Sequence, residues 1–404
     1  MTHSYDRRAL LFALAAAPAI ARAAPAGPVL TARLDSPNTG RQGPLAPMQT
    51  EASLTGAAVL SARYFGAAVR IDQLRSDPAL ETAVRRDCAY LVPEIHLNWN
   101  SIEWNKGQYN FDPIDQLLDF ADLHSLKVRG HTLIWNPSTP DWAIEEMLRH
   151  KDWRLISDYF GRVMGRYQDR IDEWEVVNEP VDTETGANGL RLTAFHQAFG
   201  PTYIERALEE ARARAPSARL LINEYGFDYD NPVDQARRET FIQLLRRLKA
   251  SGVPLDGVGV QAHLDLAKGP LKPQIVTEFL QRIADLGLDI TITEMDVKEC
   301  DYQAPIAQRD RLVADETKRY LDAALLQPAV RGVVTWGISD RYSWLSEGDG
   351  AGHPAEPGAP ALPLNRGLPY AESYAPKPMY WAIQRSLLGS SLAGVAYRSP
   401  TSSA

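Results

Sequence analysis

Two short stretches of this 404-residue chain carry a glutamate to the end of a strand-like run. Asp172-Glu173-Trp174-Glu175-Val176-Val177-Asn178-Glu179-Pro180 mixes apolar, aromatic and acidic residues and reads as a short strand. It stops at Pro180, since proline offers no donor to a sheet ladder and is excluded from central strands. Asp289-Ile290-Thr291-Ile292-Thr293-Glu294-Met295-Asp296 has the same design and runs into Glu294. Two carboxyls at strand ends are what cleavage of a glycosidic bond requires. In the retaining mechanism one is the nucleophile and the other the acid, then base, about 5–5.5 Å away. The acid must keep a proton near neutral pH, which burial or a neighbouring carboxylate favours. The nucleophile must stay ionised, which hydrogen bonds favour. His263 can serve Glu294 in that way, with Asp296 completing a chain behind it. Asn178 can donate to a sugar 2-hydroxyl, a bond that strengthens in the transition state. Glu294 is therefore expected as nucleophile and Glu179 as acid/base.

Such residues need a frame that brings strand ends together. Eight strand-like runs are expected at 64–69, 90–97, 127–135, 171–178, 219–223, 257–263, 289–293 and 332–336. Helical patterns lie between them, among them 114–124, 202–214, 239–250 and 308–326, and a helix at 378–388 closes the series. Alternation of this kind argues for a parallel sheet with crossover helices. Eight units argue for a single α/β domain, a closed (β/α)8 TIM barrel. Phe65-Gly66-Ala67-Ala68-Val69 lacks the spaced glycines of a dinucleotide site. In a barrel the polar residues at the C-terminal strand ends gather at one mouth. Here these are Glu94, Asn98, His131, Trp135, Asn178, Glu179, Asn223, Glu224, Tyr225, Gln261, His263, Glu294, Asp296, Trp336 and Asp340. Carboxylates, amides and imidazoles walled by indoles suit a sugar, whose hydroxyls need partners and whose C–H faces stack on rings. No paired His/Cys spacing supports a zinc site, and no metal or cofactor is expected. Trp99, Trp104 and Trp153 read as packing residues.

The net charge of −8 argues against nucleic acid as a ligand. Arg237, Arg238, Arg246 and Arg247 fall on a helical pattern and read as a solvated face. At the N-terminus, Arg7-Arg8 precedes an apolar run from Ala9 to Ala21 and a small-x-small site at Ala21-Arg22-Ala23. Residues 1–23 are therefore expected to be a signal peptide, with paired arginines that suggest twin-arginine export. The run is too short to span a bilayer. The mature chain would be periplasmic or extracellular, a monomer without a membrane span. Residues 24–50 are rich in Pro, Gly and Ala and read as a linker, 51–390 as the catalytic domain and 391–404 as a flexible tail. The Gly- and Pro-dense stretch 346–376 is a long loop. Two cysteines make no disulfide framework. Cys88 is expected to be a buried thiol and Cys300 to lie in a loop.

These pieces together resemble glycoside hydrolase family 10, the endo-β-1,4-xylanases. The matching runs are Phe65-Gly66-Ala67-Ala68-Val69, Val128-Arg129-Gly130-His131-Thr132-Leu133-Ile134-Trp135, Glu175-Val176-Val177-Asn178-Glu179, Gly257-Val258-Gly259-Val260-Gln261-Ala262-His263-Leu264, Ile292-Thr293-Glu294-Met295-Asp296-Val297 and Thr335-Trp336-Gly337-Ile338-Ser339-Asp340. Pro376-Lys377-Pro378-Met379-Tyr380-Trp381-Ala382 also fits. The resemblance implies Glu179 as acid/base and Glu294 as nucleophile, with His263 as its partner. It implies His131 and Asn178 as contacts to the sugar at the cleavage point, an aromatic wall of Trp336 and Trp344, and Tyr225 stacking on the leaving-group side. The departures cluster elsewhere. Where the family usually has Glu-Asn and then a lysine before a tryptophan, this chain has Glu94-Ile95-His96-Leu97-Asn98-Trp99. Where the family continues Trp-His-Ser-Gln, it has Trp135-Asn136-Pro137-Ser138. An altered subsite for the non-reducing-side sugars is expected, since a hydrogen bond to a charged donor is worth about 1.5–3 kcal/mol. The substrate expected is xylan or its oligosaccharides. A β-xylosidase-like enzyme on short or decorated oligosaccharides, and a barrel that binds glycans without cleaving them, are the alternatives.

Overall fold

The computed structural model describes residues 53–347 and 363–396. The expected signal peptide, the linker, the middle of the long loop and the last eight residues lie outside the described residues. Nine strands follow in order: β1 Tyr64–Val69, β2 Tyr90–Pro93, β3 Lys127–Gly130, β4 Glu173–Asn178, β5 Arg219–Glu224, β6 Gly257–Val260, β7 His263–Asp265, β8 Asp289–Lys298 and β9 Val330–Thr335. Neighbours pair in parallel from β1 round to β6, β6 pairs β8, and β9 joins β8 to β1. Eight staves thus close the expected (β/α)8 barrel. Helices such as Asp112–Leu123, Pro232–Ala250 and Ile306–Ala324 cross between them. Strands of this kind are buried on both faces, and β4, β5 and β8 are buried along nearly their whole length, their acids and amides included.

Strand ends differ from the sequence reading where apolar residues outrun the ladder. β2 stops at Pro93 rather than residue 97, and β3 at Gly130 rather than 135. Leu97 is buried by packing instead of by strand pairing, while Leu133 and Ile134 rejoin β4 past the break, their N–H groups donating to the Glu175 (3.1 Å) and Val176 (3.0 Å) carbonyls. β6 ends at Val260, and Ala262 at φ 59° turns the chain into β7. β7 pairs with the outer half of β8, which runs ten residues instead of the five expected. The closing helix continues to Ala396, so the Ser-rich stretch from Gly389 begins as helix rather than tail. No helix among the described residues is long and apolar enough to cross a membrane.

The basic run is a second correction. Arg246 and Arg247 are exposed, but Arg237 and Arg238 are buried. Their guanidinium groups hold the carbonyls of the loop after β5: Arg238 binds the oxygens of Phe227 (2.6 Å) and Tyr229 (2.9 Å), and Arg237 that of Tyr225 (3.0 Å). Trp99 and Trp153 are core as expected, whereas Trp104 is 61% exposed. Cys88 is buried, Cys300 is exposed, and both are free.

Candidate active site

Every barrel stave ends at the same rim, so the polar residues there are set by where each ladder stops. Glu294 lies inside β8 and is buried. Its Oε1 accepts from Asn223 Nδ2 at 2.6 Å, and its Oε2 faces His263 Nε2 at 3.1 Å. His263 Nδ1 meets Asp296 Oδ1 at 2.8 Å, and Asp296 Oδ2 accepts from Trp344 Nε1 at 2.6 Å. Burial opposes a charge on His263, but Asp296 and Glu294 outweigh it and hold its pKa well above the ordinary value. The imidazole lies between the two acidic side chains, with a ring nitrogen on each.

Glu179 follows β4 directly and takes a left-handed backbone, φ 57°. Its N–H donates to the Asn223 carbonyl at 2.9 Å, and its Oε1 lies 3.4 Å from Gln261 Nε2. Burial raises its pKa and the Glu294 carboxylate adds to that, while the Trp135 indole, Arg191 and Gln261 act the other way. The two candidate carboxyls thus sit in opposed surroundings. One faces donors on both oxygens; the other is pushed toward keeping its proton.

Asn223 is the residue that joins them, and the strand-end pattern gave it no task. Its Nδ2 serves both Glu294 and Asn178 Oδ1 (3.0 Å), and its Oδ1 accepts from Thr293 Oγ1 at 2.7 Å. The side chain fits because β6 offers glycine at 259, where a Cβ would come within 2.0 Å of Asn223 Oδ1. Gln261 Nε2 also donates to Asn178 Oδ1, at 3.2 Å. The oxygen of Asn178 is thus doubly engaged. The signal for Asn223 lay in the pairing of Asn223 with a glycine on the next stave.

His131 is fully buried, with Nδ1 on Glu175 Oε2 at 2.8 Å and Nε2 without a protein partner. Burial lowers its pKa, but Glu175 overrides this and the balance is upward. Behind it Arg129, with no exposure at all, reaches Glu173 (2.7 Å), Glu175 (3.5 Å) and the Tyr64 hydroxyl (2.8 Å). Among the described residues His131, Glu175 and Glu294 bring ligand-type atoms within 4.8 Å of one another. The carboxylates already serve Arg129, His131, Asn223 and His263, so the group is an ion-pair relay more than a vacant ligand set.

Trp336 stands between the two imidazoles, 5.0 Å from His131 and 6.5 Å from His263, and Trp344 lies 5.3 Å from His263. Tyr225 lies on the Glu179 side, its hydroxyl accepting from Arg191 at 3.1 Å and its ring under Arg237 at 4.2 Å. Glu224 beside it is buried against Arg237 (2.6 Å), its pKa pushed up to about 7 by burial against the pull of Arg237. At the opposite edge Glu94 is also pushed up to about 7 by burial, with Arg70 opposing. Asn98 is buried at the start of the short helix Trp99–Ile102, its Oδ1 unpartnered.

Known proteins match this chain over most of the barrel. The model of Glycosyl hydrolase family 10 covers residues 53–386. This chain belongs to that family. It is 31% identical over 301 residues to endo-1,4-beta-xylanase B of Thermotoga neapolitana, covering 74% of this chain and 81% of that one. It is 31% identical over 293 residues to endo-1,4-beta-xylanase A of Fusarium oxysporum, covering 70% and 86%. The crystal structure of native xylanase 10B from Thermotoga maritima superposes with a TM-score of 0.73 at 30% identity, over 84% of this chain and 99% of that one. As a family 10 member the chain is a glycoside hydrolase.

Proposed function

We propose that this family 10 chain is a retaining endo-β-1,4-xylanase, cleaving xylan or xylo-oligosaccharides by double displacement. The observation that carries the reading is the unequal setting of the two carboxyls. Glu294 attacks the anomeric carbon while Glu179 gives its proton to the departing glycosidic oxygen. Glu179, now a carboxylate, takes a proton from water, and the resulting hydroxyl releases the sugar from Glu294. Asn178 and His131 hold the sugar at the cleavage point, with Gln261 steadying Asn178 and Glu179. Trp336 and Trp344 give its apolar face a wall, Trp135 closes the donor side, and Tyr225 takes the leaving-group sugar. His263 and Asp296 support the nucleophile. The printed names of the relatives, endo-1,4-beta-xylanases, support the substrate class. A product time course on linear xylan, followed by NMR, tests the reading. Internal cuts with the β-anomer formed first are expected; an α-anomer first, or no cleavage of linear xylan, overturns it.

The glycone side is proposed to grip weakly. Asn136 Oδ1 accepts from the Ala194 N–H (3.1 Å), and the Ser138 hydroxyl donates to the Trp135 carbonyl (3.2 Å). Both polar side chains serve the fold, Ile95 has no hydrogen-bonding group, and Glu94 and Asn98 remain to meet the distal sugar. The gain in kcat/KM from one added non-reducing-side xylose should be small. A gain above about 10²-fold, or 2.7 kcal/mol, contradicts this. Export through cleavage after Ala23 is part of the same proposal: N-terminal sequencing of the secreted protein should begin at Ala24.

A further inference from the structure

The loop that leaves Glu179 returns to it. Val181 and Leu190 form an antiparallel bridge, with Asn188 (φ 52°) and Gly189 (φ 80°) turning the chain back. Arg191 is thereby laid along the three residues it has just rejoined. Its N–H donates to the Pro180 carbonyl at 2.8 Å, its Nε to the Glu179 carbonyl at 2.9 Å, and its Nη2 to the Val181 carbonyl at 3.2 Å. The same Nη2 reaches the Tyr225 hydroxyl at 3.1 Å. A non-glycine residue in the left-handed region is strained and persists only where its surroundings over-determine it. Here the rigid guanidinium fork supplies that constraint.

We propose that Arg191 is a positioning residue that sets the proton donor Glu179 and the aromatic platform Tyr225 in one register. It rests on the acid/base reading of Glu179 given above. The leaving-group sugar stacked on Tyr225 carries the oxygen that must receive the proton. One guanidinium touching both the donor's backbone and the platform's hydroxyl fixes the distance between proton and oxygen. Arg191 also bears a charge on a carboxyl that is otherwise faced by Glu294 of β8, Glu224 of β5 and His131 beyond β3, with the uncharged Gln261 and Trp135 beside it. Its positive charge favours the ionised form of Glu179, so its removal should raise the pKa of that group.

Arg191→Met and Arg191→Lys test this on a linear xylo-oligosaccharide and on an aryl β-xyloside with a good leaving group. A donor misplaced by 1 Å costs on the order of 10²-fold. Arg191→Met should lose about that much kcat/KM on the oligosaccharide, mostly in kcat, and under about tenfold on the aryl substrate, which needs little protonation. The basic limb of its kcat/KM profile should move to higher pH. Arg191→Lys, which keeps the charge but not the fork, should show the selective loss with the basic limb near its original place. It carries the test alone if the methionine variant does not fold. Equal proportional losses on both substrates, no loss on either, or a basic limb in Arg191→Met that stays or moves down would overturn the proposal. Glu179→Ala keeps the two ideas apart. If it loses both substrates equally, the acid/base reading fails; if it is selective and the Arg191 variants are not, only the role of Arg191 fails.

Discussion

The acid/base role proposed for Glu179 asks for a group unlike an ordinary exposed glutamate, and the surroundings of Glu179 are unlike those of one. Burial and the facing Glu294 raise its pKa, so the protonated fraction extends toward neutral pH. Removal of the side chain should therefore hurt in proportion to how much the leaving group needs a proton. Glu179→Ala is expected to lose about 10²–10⁴-fold on xylan and far less on aryl glycosides with good leaving groups, as measured by kcat/KM on the two substrates. The place of both glutamates at the rim was legible in the sequence, one marked by Pro180, although Glu294 proves to lie within β8 rather than at its end. Asn223 was not: its three partners, Asn178, Glu294 and Thr293, come from two other strands, and no local pattern encodes such a meeting. Arg191 was hidden for the same reason, since only the turn at Asn188 and Gly189 returns it to Glu179.

The elements matter at this rim chiefly through where they end. The outer half of β8 carries Asp296 and pairs with β7, so His263 is held by a ladder as well as by its ring nitrogens. The segment after β9 is held from beneath. Lys377, buried, bridges Asp340 at 2.7 Å, and Arg366 pairs with Asp310 at 2.7 Å. Arg309 pairs with Glu299 at 2.8 Å, while Glu299 also accepts from the Arg366 N–H at 2.6 Å. Trp344 lies in the same segment as Asp340 and depends on this footing. Lys377→Met should destabilise by about 3–5 kcal/mol in urea unfolding, because it takes from buried Asp340 its nearest cation and leaves only Arg366 at 4.0 Å and the Leu368 N–H at 3.2 Å. Strand number and order were readable from the alternation of patterns. Strand ends were not, because Leu97 looks like a ladder residue but is buried by packing, and the ladder of β3 breaks after Gly130 before Leu133 and Ile134 rejoin β4. The role of Arg237 and Arg238 escaped likewise: a charge on a helix reads as solvated unless the loop that captures it is known.

Across the whole molecule several buried acids are shifted in one direction. Burial pushes Glu94, Glu224 and Asp228 up to about 7 and Asp340 up to about 6. Each is more protonated in the fold than in the unfolded chain, where such groups titrate near 4, so unfolding releases protons between those values. His131 and His263, raised against their neighbouring carboxylates, also hold protons more tightly folded than unfolded. Stability from all six is present at low pH and lost as pH rises through the folded values. The carboxylates whose pKa is lowered, Glu175 among them, contribute a constant amount in this window. Thermal unfolding should therefore occur at a higher temperature at pH 5 than at pH 7.5, measured by calorimetry in matched ionic strength. The left-handed backbone of Glu179 has a different reach. A side chain there costs the fold about 1–2 kcal/mol that glycine would not. Glu179→Gly should consequently melt above Glu179→Ala, although both lack the acid. Selection for robustness alone would drift this position toward glycine, and under the proposed acid/base role a glutamate there is a record of selection for turnover.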